Sequence, residues 1–298
     1  MPHEPVIDWL LEGDPVIRWQ TMRDLLGRQA AEWQAERERT PEIGWGKRFL
    51  EFRQEDGAWP EGRWTGTVWT LLTIIDCGLP PGHPPLVDSA RLFLERHLSV
   101  FDRKDPLRRV DLCHLGFWLR IGAYFEIDDP RLSELTRVIF DTQMADGGWN
   151  CRIRTNPKVR HSSFHTTFNV LEGLRTAVDA GIADASVFAR AEAAALEFML
   201  DHRMYRSDKT GEIIDHRFTQ LTFPSHWHYT IPHRPRLYAI DPRDRRRSPR
   251  RPHRPADQPP KRERTMADRR PNPRRHALRH GKTRQRKPLE YPTRPASP

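Results

Sequence analysis

Three residue types that bind transition metals stand at the starts of two apolar segments. In "RRVDLCHLGFW", Asp111 and Cys113 flank one residue, and in "HSSFHTTFNVLEGL" His165 holds an equivalent position. Zn²⁺ accepts a thiolate, a carboxylate and an imidazole as ligands, and three protein ligands leave a fourth coordination position open for chemistry. The pattern predicts a zinc site of Asp111, Cys113 and His165.

A further cysteine leaves the ligand set open. Cys151 follows the stretch "DGGW" on the way to His165, so Cys113, Cys151 and His165 would form a softer zinc site, with Asp111 capping its helix. In the remaining interpretation there is no metal. Both cysteines are then small buried apolar residues, and Asp111 is only a helix N-cap.

Two stretches that share an Asp-Gly-x-Trp core separate the elements that position these residues. The first contains Asp56, Gly57 and Trp59, and the second contains Gln143, Asp146, Gly147 and Trp149. Asp-Gly favours a tight turn, and a tryptophan beside it supplies a large apolar anchor. We therefore predict two structural turns that mark a repeat.

Segments that are apolar all round alternate with segments that are apolar on one face. The pairs are "TGTVWTLLTIIDCG" with "PPLVDSARLFLERHL", "VDLCHLGFWLRIGAYF" with "DPRLSELTRVIFDTQ", and "FHTTFNVLEGLRTAV" with "SVFARAEAAALEFMLDHR". Helices of the first kind are buried and helices of the second kind lie at the surface. The pattern predicts an all-α protein of inner and outer helices, closed as a ring or stacked as a solenoid.

Two further helices are predicted at the ends of this region. Asp14 and Pro15 form a start signal for a helix through "VIRWQTMRDLLG" that ends at Gly27, with one apolar stripe. The stripe contains Val16, Ile17, Met22, Leu25 and Leu26. Near residue 230, "FPSHWHYTI" is expected to begin another inner helix, with His226 and His228 at its rim.

The second turn carries a family resemblance. "QMADGGW" resembles the Gln-x-x-Asp-Gly-x-Trp repeat of the terpenoid cyclases and of protein prenyltransferase β subunits, whose shared fold is an α/α toroid. In "RQEDGAW" the Gln position is Arg53, which departs from the pattern. The resemblance covers roughly residues 15 to 231 and implies that each turn joins an outer helix to the next inner helix.

The resemblance also implies a site. Protein prenyltransferases hold a catalytic zinc with an Asp-x-Cys and a later His at the starts of inner helices, which corresponds to Asp111, Cys113 and His165. The zinc would activate a thiolate to attack an allylic diphosphate. The substrate-binding residues implied are Arg108, where that family has Lys, His114, where it has Tyr, and the inner-helix aromatics Trp69, Trp118 and Phe168.

Terpene cyclases of this superfamily instead protonate an alkene from an acidic Asp-x-Asp-Asp motif. The nearest stretch here is "EIDDP", and Asp129 followed by Pro130 is typical of the start of a helix. The inner-helix aromatics would stabilise carbocations in a cyclase. In any helical core the same rings would only pack.

The positive charge of the chain lies at its C-terminal end. Of 50 Lys and Arg and 40 Asp and Glu, residues 241–298 contain 20 and 6, which leaves 30 and 34 for residues 1–240. The formal charge of +10 therefore does not indicate a nucleic-acid-binding body, and we expect no specific nucleic-acid partner. With three cysteines, no signal peptide and no long apolar run, we expect a cytoplasmic protein without a transmembrane segment.

The composition changes abruptly at residue 232. The last 58 residues hold 12 of the 27 prolines and none of the ten tryptophans, so we expect a disordered Arg/Pro-rich tail over 232–298 after a toroid domain over 1–231.

An ATG codon followed by an alanine codon always reads Trp one base later, so Met266-Ala267 conceals a tryptophan in the +1 frame. Our hypothesis is that residues from about 232 are an out-of-frame translation and that the ring is incomplete. Resequencing of the locus tests it.

Together these observations predict a prenyltransferase or terpene cyclase-like protein acting on an isoprenoid, either an allylic diphosphate or a polyprene, with zinc as its cofactor. The resemblance allows peripheral membrane contact and a partner subunit, which the sequence does not identify. Two alternatives stay open: a non-catalytic toroid scaffold or inactive homologue, and a nucleic-acid binder that uses its basic tail.

Overall fold

The computed structural model describes residues 5–62, 65–102, 110–156 and 158–231. Over these residues the chain is helical, and the only β-structure among them is an isolated bridge between Arg206 and Ile213. The α-helices are α1 (Pro5–Leu11), α2 (Pro15–Gln20), α3 (Ala30–Glu38), α4 (Gly44–Glu51), α5 (Thr67–Cys77), α6 (Pro84–Leu98), α7 (Leu112–Tyr124), α8 (Arg131–Asp141), α9 (Phe164–Asp179) and α10 (Ala185–Asp201). The all-α prediction is confirmed. Arg108, Met266 and the whole predicted tail lie outside the described residues.

Helix α2 begins where the sequence predicts, because the Asp14 carboxylate accepts a hydrogen bond from the Val16 amide at 2.9 Å. The predicted helix continues to Leu25, two residues before Gly27, but it does not keep one geometry. The α-helix ends at Gln20, and Thr21–Leu25 forms a π-helical turn. A π-turn rotates the residues that follow it relative to the apolar stripe. Leu25 is consequently 61% exposed.

The apolar segments form buried helices. Most residues of α5, α7 and α9 are buried, whereas α6, α8 and α10 bury one face. Each of α6, α8 and α10 packs against the buried helix before it in the chain. Buried and surface helices therefore alternate as the hydrophobic pattern predicts.

Helices α7 and α9 are in backbone contact. A Cβ added to Gly173 would lie 2.4 Å from the carbonyl oxygen of Gly116, and a Cβ added to Gly116 would lie 2.5 Å from the carbonyl oxygen of Asn169. Only glycine fits at such distances. This contact fixes α9 against α7, the two helices that carry His165 and Cys113.

The stretch expected to begin another inner helix is not helical. Residues 222–230 form bends and turns that lie on α9, and His226 has a φ of 49°. The Asn169 side-chain amide donates to the Trp227 carbonyl oxygen at 2.9 Å, and the Tyr229 amide donates to His165 Nδ1 at 2.8 Å. These bonds to α9 satisfy backbone groups that a helix would have paired internally.

No helix in the described part of the chain combines the length and the apolar character needed to cross a bilayer.

Candidate functional site

The second Asp-Gly turn joins α8 to α9. Gly147 has a φ of 101°, which favours glycine, and the Gln143 side-chain amide donates to the Gly147 carbonyl at 2.6 Å and to the Ala191 carbonyl of α10 at 2.8 Å. Trp149 is fully buried, and its indole N–H donates to the Ile139 carbonyl at 2.8 Å. Asp146 accepts from the amide and the hydroxyl of Ser162. The turn thus contacts the helix before it, the helix after it and the next surface helix.

The first Asp-Gly turn joins α4 to α5 with equivalent hydrogen bonds. The indole N–H of Trp59 donates to the Phe49 carbonyl at 2.7 Å, ten residues earlier, as Trp149 does to Ile139. The amides of Trp59 and Trp149 donate to threonine hydroxyls in the first turns of α5 and α9, Thr67 at 3.1 Å and Thr167 at 2.9 Å. The two turns are therefore copies of one structural unit.

Arg53, where the sequence departs from the repeat pattern, makes the corresponding contact. Its Nε donates to the Ser89 hydroxyl at 2.7 Å, and Ser89 lies on α6, the next surface helix after α5. Gln143 makes its contact with α10, the next surface helix after α9. The guanidinium therefore takes the place of the amide in tying the turn to a neighbouring surface helix.

Two of the predicted metal ligands lie side by side. The Cys151 sulfur accepts a hydrogen bond from the Cys113 amide at 3.3 Å and from the Thr166 hydroxyl at 3.3 Å. Both cysteines are half-buried free thiols. The end of the second turn, the start of α7 and the start of α9 thus meet at one sulfur atom.

The pKa values of the two thiols shift in opposite directions. Donation from Cys113, aided by Thr166, lowers the pKa of Cys151 to about 7 against the effect of burial. The pKa of Cys113 is raised, first because of its contact with Cys151 and then because of burial. Cys151 accepts hydrogen bonds from the Cys113 amide and the Thr166 hydroxyl, and these contacts favour its thiolate form.

His165 faces a different neighbour. Its Nδ1 accepts the Tyr229 amide, so the ring is neutral with its proton on Nε2. It packs edge-on against Trp227, with ring centroids 4.7 Å apart, and against Phe218 at 5.3 Å. Burial, followed by the nearby His228, lowers the pKa of His165 to about 4. The bond to Tyr229 uses one of the two nitrogens that could bind a metal.

Asp111 is the residue before α7, with an extended backbone, and its carboxylate makes no capping hydrogen bond to the helix. In the described residues, no three or more His, Cys, Asp and Glu side chains are grouped as a metal ion would require. The structure brings Cys113 and Cys151 together, and Asp111 lies close enough to act electrostatically on both thiols. The contacts of His165 are instead with Tyr229 and Trp227. The zinc site therefore stays a prediction, and no chemical step is derived through it.

The predicted substrate-binding aromatics fall into three settings. Phe168 is buried in the core against Tyr229, with centroids 5.8 Å apart. Trp118 is buried, and the exposed His114 ring lies nearly parallel to it at 6.5 Å. Trp69 is half-buried and packs edge-on against Phe117 at 5.3 Å and His226 at 5.7 Å. Trp69 lines two neighbouring spaces.

Trp69 forms a wall between two spaces. On one side a groove of about 180 Å³ opens beside the first marked turn, and its lining includes Asp56, Gly57, Phe93, Arg96 and His97. On the other side a cavity of about 10 Å³ lies between the buried helices. The second space is large enough for about one water molecule.

The inner cavity is lined by charged side chains that were not predicted from the sequence. Arg120 of α7 donates to Asp76 of α5 at 2.8 Å and lies 3.8 Å from Glu172 of α9, and only 12% of its side chain is exposed. The signal was present in the sequence, because each of three otherwise apolar segments contains one of these residues. A charged side chain within an apolar helix indicates a partner on a neighbouring helix.

Asp129 lies at the start of α8 and does not have the properties of an acid catalyst. Its carboxylate accepts from the Arg131 amide at 2.9 Å and pairs with the Arg131 guanidinium at 2.7 Å. The side-chain bond with Arg131 is the main reason that the pKa of Asp129 is lowered. A carboxylate held in its ionised form has no proton to donate to an alkene.

No protein-family model matches this chain, and searches of curated proteins and of solved structures find nothing similar to it.

Proposed function

We propose that the chain is an α/α toroid of the terpenoid cyclase and protein prenyltransferase type, and that its inner helices bind an isoprenoid. The observation that carries this proposal is the duplicated turn. Trp59 and Trp149 make the same indole and amide hydrogen bonds, and each turn leads from a surface helix into a buried one. A repeat of that kind supports a closed ring of inner and outer helices.

We infer the class of ligand from the side chains that line the two spaces beside Trp69. Trp69 and Phe117 offer aromatic faces, which suit an apolar chain or a carbocation. Arg96 and His97 line the groove on the outer side of Trp69 and carry the type of side chain that binds a diphosphate. An allylic diphosphate would place its charged end in the groove and its chain against Trp69.

A binding experiment on the full chain tests this proposal. Farnesyl diphosphate and squalene should each be titrated while the tryptophan fluorescence is followed, with and without added zinc. Replacing Trp69 with Leu should weaken binding by about tenfold, the effect of losing roughly 1–2 kcal/mol of aromatic contact. Trp45→Leu is the matched control, because Trp45 is 46% exposed on α4. Failure of both isoprenoids to bind, or equal affinity for the Trp69→Leu variant, would contradict the proposal.

One observation favours a second candidate, a non-catalytic scaffold of the same fold. The cavity between the buried helices holds only about 10 Å³, since residues 222–230 lie over it and Pro224 and His226 line it. Mass spectrometry of products after incubation with each isoprenoid separates the two candidates. Binding without product favours the scaffold. Stoichiometric zinc that is lost on Cys113→Ser favours a transferase.

A further inference from the structure

The Cys113 and Cys151 thiols form a close pair whose chemistry does not depend on the proposed function. The Cys151 sulfur lies 3.3 Å from the Cys113 amide nitrogen, and that nitrogen is three bonds from the Cys113 sulfur. The two thiols are also close enough for each to change the pKa of the other. Both side chains are half-buried, so a small reagent can reach them.

The donors around Cys151 favour a reactive sulfur. The Cys113 amide and the Thr166 hydroxyl both donate to it, and they come from two separate helices. The Cys113 amide belongs to the first turn of α7, a helix of 13 residues, where backbone N–H groups lack helical partners. Donors directed at sulfur stabilise the thiolate, which is the nucleophilic form of cysteine.

We propose that Cys151 is a peroxide-reactive cysteine and that Cys113 is its resolving partner. The Cys151 thiolate attacks one oxygen of hydrogen peroxide, the O–O bond breaks, and the released hydroxide takes up a proton to form water. Cys151 is thereby oxidised to a sulfenic acid. Cys113 then attacks the sulfenic sulfur, the S–O bond breaks as the S–S bond forms, and the thiol proton leaves with the hydroxide as a second water. Two thiols and one peroxide give one disulfide and two waters.

The product would link two elements that the fold already places together. A disulfide from Cys113 to Cys151 ties the start of α7 to the end of the second marked turn across a sequence separation of 38 residues. Cys77 serves as an internal reference. It is 1% exposed within α5, and burial raises its pKa to about 12, so it should not react.

Thiol counting on the full chain tests this proposal. The reduced protein, kept in EDTA so that no metal covers the sulfurs, is treated with hydrogen peroxide, unfolded and labelled with a maleimide polymer. The folded wild type should lose two of its three thiols as an intramolecular disulfide, and peptide mapping should identify Cys113 joined to Cys151. The reaction should be at least about tenfold faster than in the urea-unfolded chain, which has no organised donors.

Variants assign the two roles. Cys113→Ser should trap a sulfenic acid at Cys151 that dimedone labels, Cys151→Ser should keep both remaining thiols reduced, and Cys77→Ser should behave as the wild type. Thr166→Val removes one donor and should slow the reaction by about 3- to 10-fold, the usual effect of one hydrogen bond. A rate equal to that of the unfolded chain, a disulfide that includes Cys77, or dimedone labelling of Cys113 in the Cys151→Ser variant would overturn the proposal.

Discussion

At the scale of single residues, the buried tryptophans of the marked turns have the clearest roles. Trp149 fills a fully buried position, and its indole satisfies the Ile139 carbonyl near the end of α8. This carbonyl also accepts hydrogen bonds from the amide and the hydroxyl of Thr142, so the indole adds one further donor where α8 ends. The tryptophan is therefore both an apolar anchor and a hydrogen-bond donor.

Replacing Trp149 with Ala should lower the free energy of unfolding by about 3–5 kcal/mol, because the change leaves a large cavity and removes the indole hydrogen bond to Ile139. Urea unfolding monitored by circular dichroism measures the loss. Trp9→Ala is the control, since Trp9 is 67% exposed, and it should change the free energy by less than about 0.5 kcal/mol. Equal effects of the two substitutions would show that the turn does not anchor the fold.

His165 makes the stability of the protein depend on pH. Its pKa is lowered from 6.5 to about 4 by burial, and only the neutral ring can accept the Tyr229 amide. Between these two pH values the unfolded state binds a proton that the native state does not. Stability must therefore fall as pH falls from 6.5 to 4.

The loss due to His165 should be on the order of 3 kcal/mol, since a tenfold change in proton affinity corresponds to about 1.4 kcal/mol. Urea unfolding at pH 6.5 and at pH 4 should show a smaller difference for His165→Gln than for the wild type. His161→Gln, an exposed residue before the same helix, should keep the wild-type difference. An unchanged difference in the His165→Gln variant would refute this assignment.

At the scale of elements, the contact between α7 and α9 determines where the candidate site forms. Gly116 and Gly173 let the two backbones touch, so the starts of these helices converge on the Cys151 sulfur. Both glycines lie inside helices, where glycine costs about 1 kcal/mol relative to alanine. Their role is therefore to allow the two backbones to approach closely, and neither glycine forms a turn.

Gly116→Ala should destabilise the protein by at least about 1–3 kcal/mol, since the new methyl group would meet the Asn169 backbone at 2.5 Å. Gly122→Ala is the matched control in the same helix. Its Cβ would meet a terminal carbon of Leu132 at 2.7 Å, and a side chain can move where a backbone cannot. Thermal unfolding should rank Gly116→Ala well below Gly122→Ala, and the reverse order would contradict backbone contact between α7 and α9.

At the scale of the whole molecule, charge separates the chain into two parts. Residues 1–240 contain 30 basic and 34 acidic residues, whereas residues 241–298 contain 20 and 6. A nucleic acid is attracted through its phosphates, and that attraction weakens with salt. Any affinity of this protein for DNA should therefore come from the C-terminal part.

Deleting residues 241–298 should abolish DNA binding, and binding by the full chain should weaken steeply between about 50 and 200 mM salt. Fluorescence anisotropy with a labelled duplex measures both effects. A duplex of unrelated sequence should bind the full chain equally well. DNA binding that survives the deletion would show that the helical body contains a nucleic-acid surface.

The sequence by itself determined helices α5 to α10, their burial and the two marked turns. Periodicity of apolar residues distinguishes buried from surface helices, and Asp-Gly-x-Trp is a local signal that needs no distant partner. These features depend on neighbours in the chain. They can therefore be predicted from the sequence alone, as the turn at Gly147 and the burial of Trp149 show.

Only the tertiary structure decided which side chains meet. The pairing of Cys113 with Cys151, the bond between His165 and Tyr229, and the ionic contacts of Arg120 join residues that are 38 or more positions apart. The helical prediction for residues 222–230 was wrong for the same reason, since hydrogen bonds to α9 replace those of a helix. Contacts between distant residues depend on how helices pack, and the backbone contact between α7 and α9 required glycines at positions 116 and 173.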